Sequence, residues 1–373
     1  MPKARDSGRR RPRGQSEFGC IASPGLSDPA KDRPSRVLKF GTLGAARIAP
    51  AGLLAPAAGM ASVEVACVAA RDRRRAEIFA GEHGIAQVLE DYAHVVAAPV
   101  DAIYVPLPPS EHAEWTIRAL EAGKHVLCEK PFALCAEEAR RMVATAEACD
   151  RILMEAFHSR YHPLFARMLE YVESGVLGPI LSLEAEFTVA VDAPENFRRQ
   201  RALGGGATMD LGCYPIHWLR TLMGHEPEVV SAAARADDDG VDESMTARLA
   251  FSNGVEARVH SSMAADVPRS ARIQIRGRDG KLDVSNPLAP QFGNEIRLEQ
   301  GRDVRTETVE AQTSYAHQLE AFADVIDGNS DRLLTGGEDA VANMKVIDAV
   351  YAAAGLPSRG PEDFNSEAAG RGD

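Results

Sequence analysis

The stretch HVLCEKP, residues 125–131, ends a short apolar run on Glu129, Lys130 and Pro131. Such a run reads as a strand buried on both faces, and a lysine at its carboxyl end projects into the crevice where open α/β sheets bind ligands. An ammonium there can hydrogen-bond a substrate hydroxyl and favour a developing oxyanion. Pro131 stops the strand and holds Lys130 in extended geometry. Glu129 has two readings: it orients the reactive end of a bound cofactor, or it pairs locally. Upstream, FGTLGAARIAP sets Gly41, Gly44, Ala45, Ala46, Arg47 and Ile48 between a strand-like and a helix-like run, in the place of a G-x-G-x-x-G loop. Small residues there let the backbone approach a pyrophosphate at a helix N-terminus. The next run, VEVACVAARD, delivers Arg71 where an acid would select NAD through its ribose hydroxyl. An arginine at that place, with Arg74 and Arg75 adding to the field, pairs with a 2′-phosphate. The expected cofactor is NADP, with NAD possible.

These residues need elements to position them. From Arg36 to Phe157 the runs VLKFGTLG, VEVACVAA, DAIYVPLP, KHVLCEKP and RILMEAF alternate with helix-like stretches such as PSEHAEWTIRALEAG. That alternation indicates βαβ units and a parallel, doubly wound sheet. After a helix-like segment around PLFARMLEYVESGVLG the period changes. Leu181, Leu183, Ala185, Phe187, Val189 and Val191 alternate at period two, as in an antiparallel strand with one buried face. Asn253-Gly254 and Asp279-Gly280 are hairpin signals, and Thr335-Gly-Gly-Glu338 reads as a capping box opening a last helix that ends near Pro357. The expected class is α/β: a Rossmann domain at 36–157, then an α+β domain at 158–357 on a mostly antiparallel sheet. Residues 1–35 and 358–373, rich in polar residues, Gly and Pro, are expected to be a disordered leader and tail.

A formal net charge of −12 argues against nucleic acid as the main partner, and no uncharged apolar run is long enough for a membrane span. The six cysteines show no CxxC pair, which fits a reducing cytoplasm. His158 and His162 are four apart, but Pro163 and the lack of a third ligand argue against a metal, and none is expected.

GTLGAARIA, VAARD, DAIYVPLPPSEHAEWTIRALEAGKHVLCEKPF, MEAFHSRYHP and LGGGATMDLGCYPIHW together resemble the glucose-fructose oxidoreductase / inositol dehydrogenase (Gfo/Idh/MocA) family of NAD(P)-dependent oxidoreductases. Within it the chain is most similar to the branch of dimeric dihydrodiol dehydrogenase and D-xylose dehydrogenases. The resemblance implies a large open sheet over the substrate, a homo-oligomer (a dimer), and a sugar, sugar-derivative or vicinal-diol substrate. It places the catalytic lysine on Lys130, the catalytic tyrosine on Tyr214 and an aspartate on Asp210, which either supports Tyr214 or the substrate or caps a helix. Tyr214 would take the hydroxyl proton, with Lys130 favouring its phenolate. Pro106, Leu107, Pro108 and His112 fall along the nicotinamide-side loop, with proline at 109 where relatives carry asparagine. Relatives have a cis lysine-proline peptide, and the same is expected of Lys130-Pro131.

His158, Arg160 and Tyr161 follow the strand-like run RILMEAF and are expected to line the substrate pocket. His217, three residues after Tyr214, either reaches that pocket or packs on its helix. Gly204, Gly205 and Gly206 are expected to allow close packing beneath the site, and Pro215 to start or kink its helix. The competing functions are a redox-neutral glycoside hydrolase with bound NAD(H) and a non-catalytic sugar or cofactor sensor.

Overall fold

The computed structural model describes residues 36–191, 193, 195–357, 359 and 360; the expected leader, and the tail beyond Gly360, lie outside them. The first sheet has six parallel strands: β1 (Leu38–Leu43), β2 (Val63–Ala69), β3 (Gln87–Val88), β4 (Ala102–Val105), β5 (His125–Cys128) and β6 (Leu153–Glu155). Their order is β3-β2-β1-β4-β5-β6, so the crevice lies at the carboxyl ends of β1 and β4, where the winding reverses. All four residues of β4 are buried, as a strand covered on both faces requires. Only β3, two residues long with no apolar run, lacks a signal in the sequence.

The crossovers are α1 (Ala55–Ala58), α2 (Arg73–His83), α3 (Tyr92–Ala97), α4 (Pro109–Glu121) and α5 (Ala136–Ala148). Helix α2 starts where the Asp72 carboxylate accepts the Arg75 N–H, and stops at Gly84 in the left-handed region. Helix α1 is a stub behind a wide π-type turn over Pro50–Leu54, so it covers little of the sheet. That gap is closed from far along the chain. Helix α8 (Ser314–Ile326), which the sequence assigns to the second part, lays Leu319, Phe322 and Ala323 against the core of the first, with the Phe322 ring 5.8 Å from Phe40.

After α6 (Pro163–Glu173), the second sheet is built from β7 (Ile180–Thr188), β8 (Glu228–Ala236), β9 (Asp242–Ala250), β10 (Glu256–Ser262), β11 (Ser270–Gly277), β12 (Lys281–Ser285), β13 (Glu295–Gln300) and β14 (Asp303–Glu307). The order is β14-β13-β12-β11-β7-β10-β9-β8; β7 and β10 run parallel and every other pair antiparallel. In β7 the inward set is Leu183, Ala185 and Phe187, while Leu181 at the strand start is exposed. The two hairpins form where Asn253-Gly254 and Asp279-Gly280 stand, linking β9 to β10 and β11 to β12. Helix α7 (Cys213–Met223) packs on β7 and β10, and α9 (Glu338–Ala353) lies against α5, α7 and β8.

Two expectations fail here. Thr335 does not cap α9: Gly337 holds that position without a side-chain bond, and the buried Thr335 hydroxyl donates to the Glu155 carbonyl instead. The expected tail begins too early. The Arg359 side chain is buried, donating to the Gly205 carbonyl at 2.7 Å and facing Asp242 Oδ1 at 3.4 Å. Asp242 also accepts from the Thr208 N–H (2.7 Å), the Thr208 hydroxyl (2.6 Å) and the Tyr351 hydroxyl (2.7 Å). This internal charge cluster anchors the segment that carries the site.

Candidate active site

Lys130 stands at the carboxyl edge of β5, before a cis peptide to Pro131. Its ammonium donates to the carbonyl oxygen of Asp210 at 2.8 Å and to the Asp210 carboxylate Oδ1 at 2.9 Å. It also lies 5.2 Å from the centre of the Tyr214 ring. Lys130 is thus brought to Asp210, 80 positions away in sequence, and to Tyr214 four residues further on.

The segment from the glycines to α7 has little freedom. A Cβ at Gly205 would lie 2.6 Å from the Arg198 carbonyl oxygen, and one at Gly204 would lie 2.7 Å from side-chain atoms of Leu134 and Pro109. Only glycine lets the backbone at 205 meet that of Arg198, and at 204 the side chains of Leu134 and Pro109 pack against it. A π-type turn over Thr208–Gly212 then runs into α7, so the wide turn lies just before Pro215, whose missing N–H could not have bonded to Leu211.

Burial disfavours the Lys130 ammonium, but Asp210 outweighs it and leaves the pKa raised. Burial also acts against the Asp210 carboxylate, and Lys130 and Arg198 together overcome it, holding the pKa at about 2. Tyr214 behaves differently from the sequence expectation. Burial, with Tyr315 and Glu129 adding, pushes its phenol well above 10, and Lys130 faces its ring while bonded to Asp210. In this arrangement burial keeps the Tyr214 phenol protonated.

Of the substrate-side candidates, His158 comes to Tyr214, with ring centres 6.0 Å apart. It stacks on Tyr315 of α8 at 3.9 Å, and its Nδ1 lies 2.8 Å from the Ser314 hydroxyl. Tyr315 had no signal in the sequence, because only the return of α8 brings it here. Burial, then the charge of Lys130, lower the His158 pKa to about 3. The unfolded chain takes up that proton near pH 6.5, so the stability tied to neutral His158 is complete above that pH and declines on acidification. Between pH 7 and pH 5 the loss is expected to be about 2 kcal/mol. Urea midpoints across this range should therefore fall less steeply in His158→Gln.

The other three are engaged elsewhere. His217 packs under Phe157 (ring centres 4.4 Å apart) and meets Asp339 through Nε2 at 3.2 Å, so it takes the helix-packing alternative. The Tyr161 hydroxyl accepts from the N–H groups of Leu334 and Thr335, and the Arg160 guanidinium lies over Phe165. Both brace the wall of the site.

On the cofactor side, Gly44 has φ +91, and a Cβ there would meet Leu107 at 3.3 Å and the Tyr92 hydroxyl at 3.6 Å. A Cβ at Gly41 would lie 2.6 Å from Val95. Ala45, Ala46, Arg47 and Ile48 form the loop before the helical turn, with Arg47 exposed. Arg71 is exposed just past β2 and acts electrostatically on Tyr92 and Glu111. Arg75 is committed to the Ala45 carbonyl (2.8 Å), so it shapes the loop. The Glu129 carboxylate accepts from the Tyr104 hydroxyl at 2.7 Å, and a Cβ at Gly52 would lie 2.5 Å from that hydroxyl. Glu129 therefore has the local partner that one of its two readings required.

Pro106 and Leu107 are buried, Leu107 beside Gly44, and Pro108 is the N-cap of α4. Pro109 opens α4 at its first position, where no donor is needed. His112 is buried, with its ring nitrogens 2.9 Å from the Pro131 carbonyl and 2.8 Å from the Leu107 carbonyl. Its burial lowers the pKa to about 4. It ties the two loops flanking the crevice. Among the described residues no group of three or more metal-binding side chains occurs, and no helix is long and apolar enough to cross a membrane.

Comparison with known proteins agrees with this geometry. Residues 38–157 match the family model described as "Oxidoreductase family, NAD-binding Rossmann fold", and residues 165–283 match the GFO/IDH/MocA C-terminal domain. The D-xylose 1-dehydrogenase (NADP(+)) 2 of Haloferax volcanii is 35% identical over 85% of this chain and 97% of its own length. The trans-1,2-dihydrobenzene-1,2-diol dehydrogenase of Xenopus tropicalis is 33% identical over 62% of this chain and 76% of its own. A 3-ketoreductase from Actinomadura kijaniata, solved with NADP and TDP-benzene, superposes with TM-score 0.79 at 31% identity, covering 85% of this chain and 97% of that one. An α/β architecture of one parallel and one mostly antiparallel sheet, family models matching most of the chain, and a D-xylose dehydrogenase matched over 97% of its length lead to one conclusion: the chain belongs to the GFO/IDH/MocA family of oxidoreductases.

Proposed function

We propose that this chain is an NADP-dependent oxidoreductase acting on a CH–OH carbon of a sugar, sugar derivative or vicinal diol. The observation that carries the reading is the convergence of Lys130, Asp210 and Tyr214 at the carboxyl edge of the parallel sheet, beside the glycine-lined crevice. Gly44 in the left-handed region (φ +91) and the close side-chain packing at Gly41 and Gly52 fit the tight turn and strand–helix contact of a dinucleotide-binding loop. When bound, the nicotinamide supplies or accepts hydride. Lys130 holds the substrate oxygen by an N–H donor and offsets its negative charge. Tyr214 delivers its phenolic proton to that oxygen in reduction, and burial keeps the phenol protonated for that step. In oxidation the phenol first releases its proton to solvent, the ammonium of Lys130 favouring the phenolate, which then takes the substrate's hydroxyl proton. The rings of His158, Phe157 and Tyr315 shield the reacting centre from water.

Arg71 is the group we assign to the 2′-phosphate. Arg71→Ala is expected to weaken NADPH binding roughly ten- to hundred-fold while leaving NADH nearly unchanged. Fluorescence titration with both cofactors checks this, and equal losses would remove the assignment. The open face of the eight-stranded sheet carries charges of both signs, among them Glu184, Arg258, Arg272 and Asp283, and we assign it to a homodimer. Sedimentation of the wild-type chain tests that. The cysteines unbridged among the described residues fit a cytoplasmic setting. A panel of aldoses, inositols, ketosugars and dihydrodiols, followed by NADPH absorbance in both directions, tests the activity. Turnover of a glycoside without net change in NADPH would replace the proposal with redox-neutral hydrolysis.

A further inference from the structure

Asp210 is held from two sides. Its Oδ1 meets Lys130 at 2.9 Å, and its Oδ2 accepts from Arg198 Nε at 2.6 Å. Arg198 lies in a short 3-10 turn, Phe197–Arg199, with its guanidinium over the Phe197 ring at 4.6 Å. Its backbone is fastened to the same loop: the Gly206 N–H donates to the Arg198 carbonyl at 2.9 Å, and the Asp210 N–H donates to the Gly206 carbonyl at 3.0 Å. Side chain and backbone thus close a ring around the carboxylate. The Cβ clash at Gly205 with the Arg198 carbonyl shows how closely that ring is drawn.

The charges matter as much as the geometry. Lys130 and Arg198 share one carboxylate, so the triad keeps one positive charge in excess beside Tyr214. Without Arg198, Asp210 and Lys130 would form a neutral pair beside the Glu129 carboxylate. Both carboxylate oxygens would then be free to hold the ammonium, which would have to break that pair to reach a substrate oxygen.

We propose that Arg198 is a positioning residue of the catalytic cluster: by occupying Oδ2 of Asp210 it restricts Lys130 to one carboxylate oxygen and keeps the ammonium available to the reacting oxygen. The inference rests on the oxidoreductase reading above. It predicts a loss in kcat rather than in KM, because Arg198 acts through Asp210 and Lys130.

Arg198→Met, Arg198→Lys and Lys130→Met are to be compared with the wild type. D-xylose serves as substrate, or the fastest aldose or diol of the panel if D-xylose is not turned over. NADPH binding is measured for each protein. Arg198→Met is expected to lower kcat on the order of 10²-fold with KM within about three-fold, and Arg198→Lys to recover most of the loss. Guanidinium ion at sub-denaturing concentration should restore turnover in Arg198→Met, whereas urea should not. A normal kcat in Arg198→Met overturns the inference. So does a loss confined to KM, or one that neither lysine nor guanidinium repairs. If Arg198→Met binds no NADPH, the lysine variant decides, and a loss there as deep as in Lys130→Met overturns the inference. Full activity in Lys130→Met would sink the oxidoreductase reading itself and this inference with it. An inactive Lys130→Met beside an unaffected Arg198→Met would remove the Arg198 role alone.

Discussion

Tyr214→Phe and Lys130→Met are each expected to lower kcat on the order of 10³-fold while leaving NADPH affinity near wild type. Phenylalanine keeps the ring that packs on Phe157, Phe187 and Trp218, so only the hydroxyl is removed. Methionine preserves the length of the lysine stem but removes the charge and the donors to Asp210. Unequal reduction and oxidation losses in Tyr214→Phe would be informative, because the raised pKa keeps the phenol protonated, as reduction requires, while oxidation first needs its phenolate. The double variant should be little worse than either single one if the two groups act as a unit. Steady-state kinetics in both directions, beside fluorescence titration of NADPH, reads all of this. Rates within a few-fold of wild type in both single variants would end the assignment.

The second large effect concerns stability. Asp242→Ala is expected to cost roughly 3–5 kcal/mol, because it leaves the buried Arg359 guanidinium without its carboxylate. The Thr208 N–H and hydroxyl and the Tyr351 hydroxyl lose their acceptor as well. Burial raises the Asp242 pKa despite these donors, so the carboxylate is under desolvation stress even in the intact fold. Thr208 opens the turn that carries Asp210 and leads to Tyr214, so activity should be lost together with the fold. Urea unfolding should show a lower midpoint with an unchanged slope. A shift smaller than about 1 kcal/mol would mean that water satisfies this cluster. Arg71→Ala, on an exposed residue, should leave the midpoint unmoved and serves as the control.

Much of the architecture was legible because its causes are local. Buried parallel strands need continuous apolar runs, so β1, β2, β4, β5 and β6 stand out, whereas the two-residue β3 carries no pattern. Hairpins at Asn253-Gly254 and Asp279-Gly280 follow from backbone preferences of single residues. The capping box at Thr335 failed because a buried Glu155 carbonyl and the Tyr161 hydroxyl, both remote in sequence, are the partners of that threonine. A local motif cannot see such competitors.

The sequence by itself determined the order of the two sheets, the glycine-lined crevice and the placing of Lys130 at a strand end. Those features depend on hydrophobic period, steric freedom and chain order alone. Only the tertiary structure decided which side chains meet. It turned His217 toward Asp339, sent α8 back to place Tyr315 on His158, buried Arg359, and set Arg198 on the far side of Asp210. It also buried Tyr214, which raises its pKa. A tyrosine's proton affinity depends on how far burial outweighs its neighbours, and burial is a property of the whole packed fold.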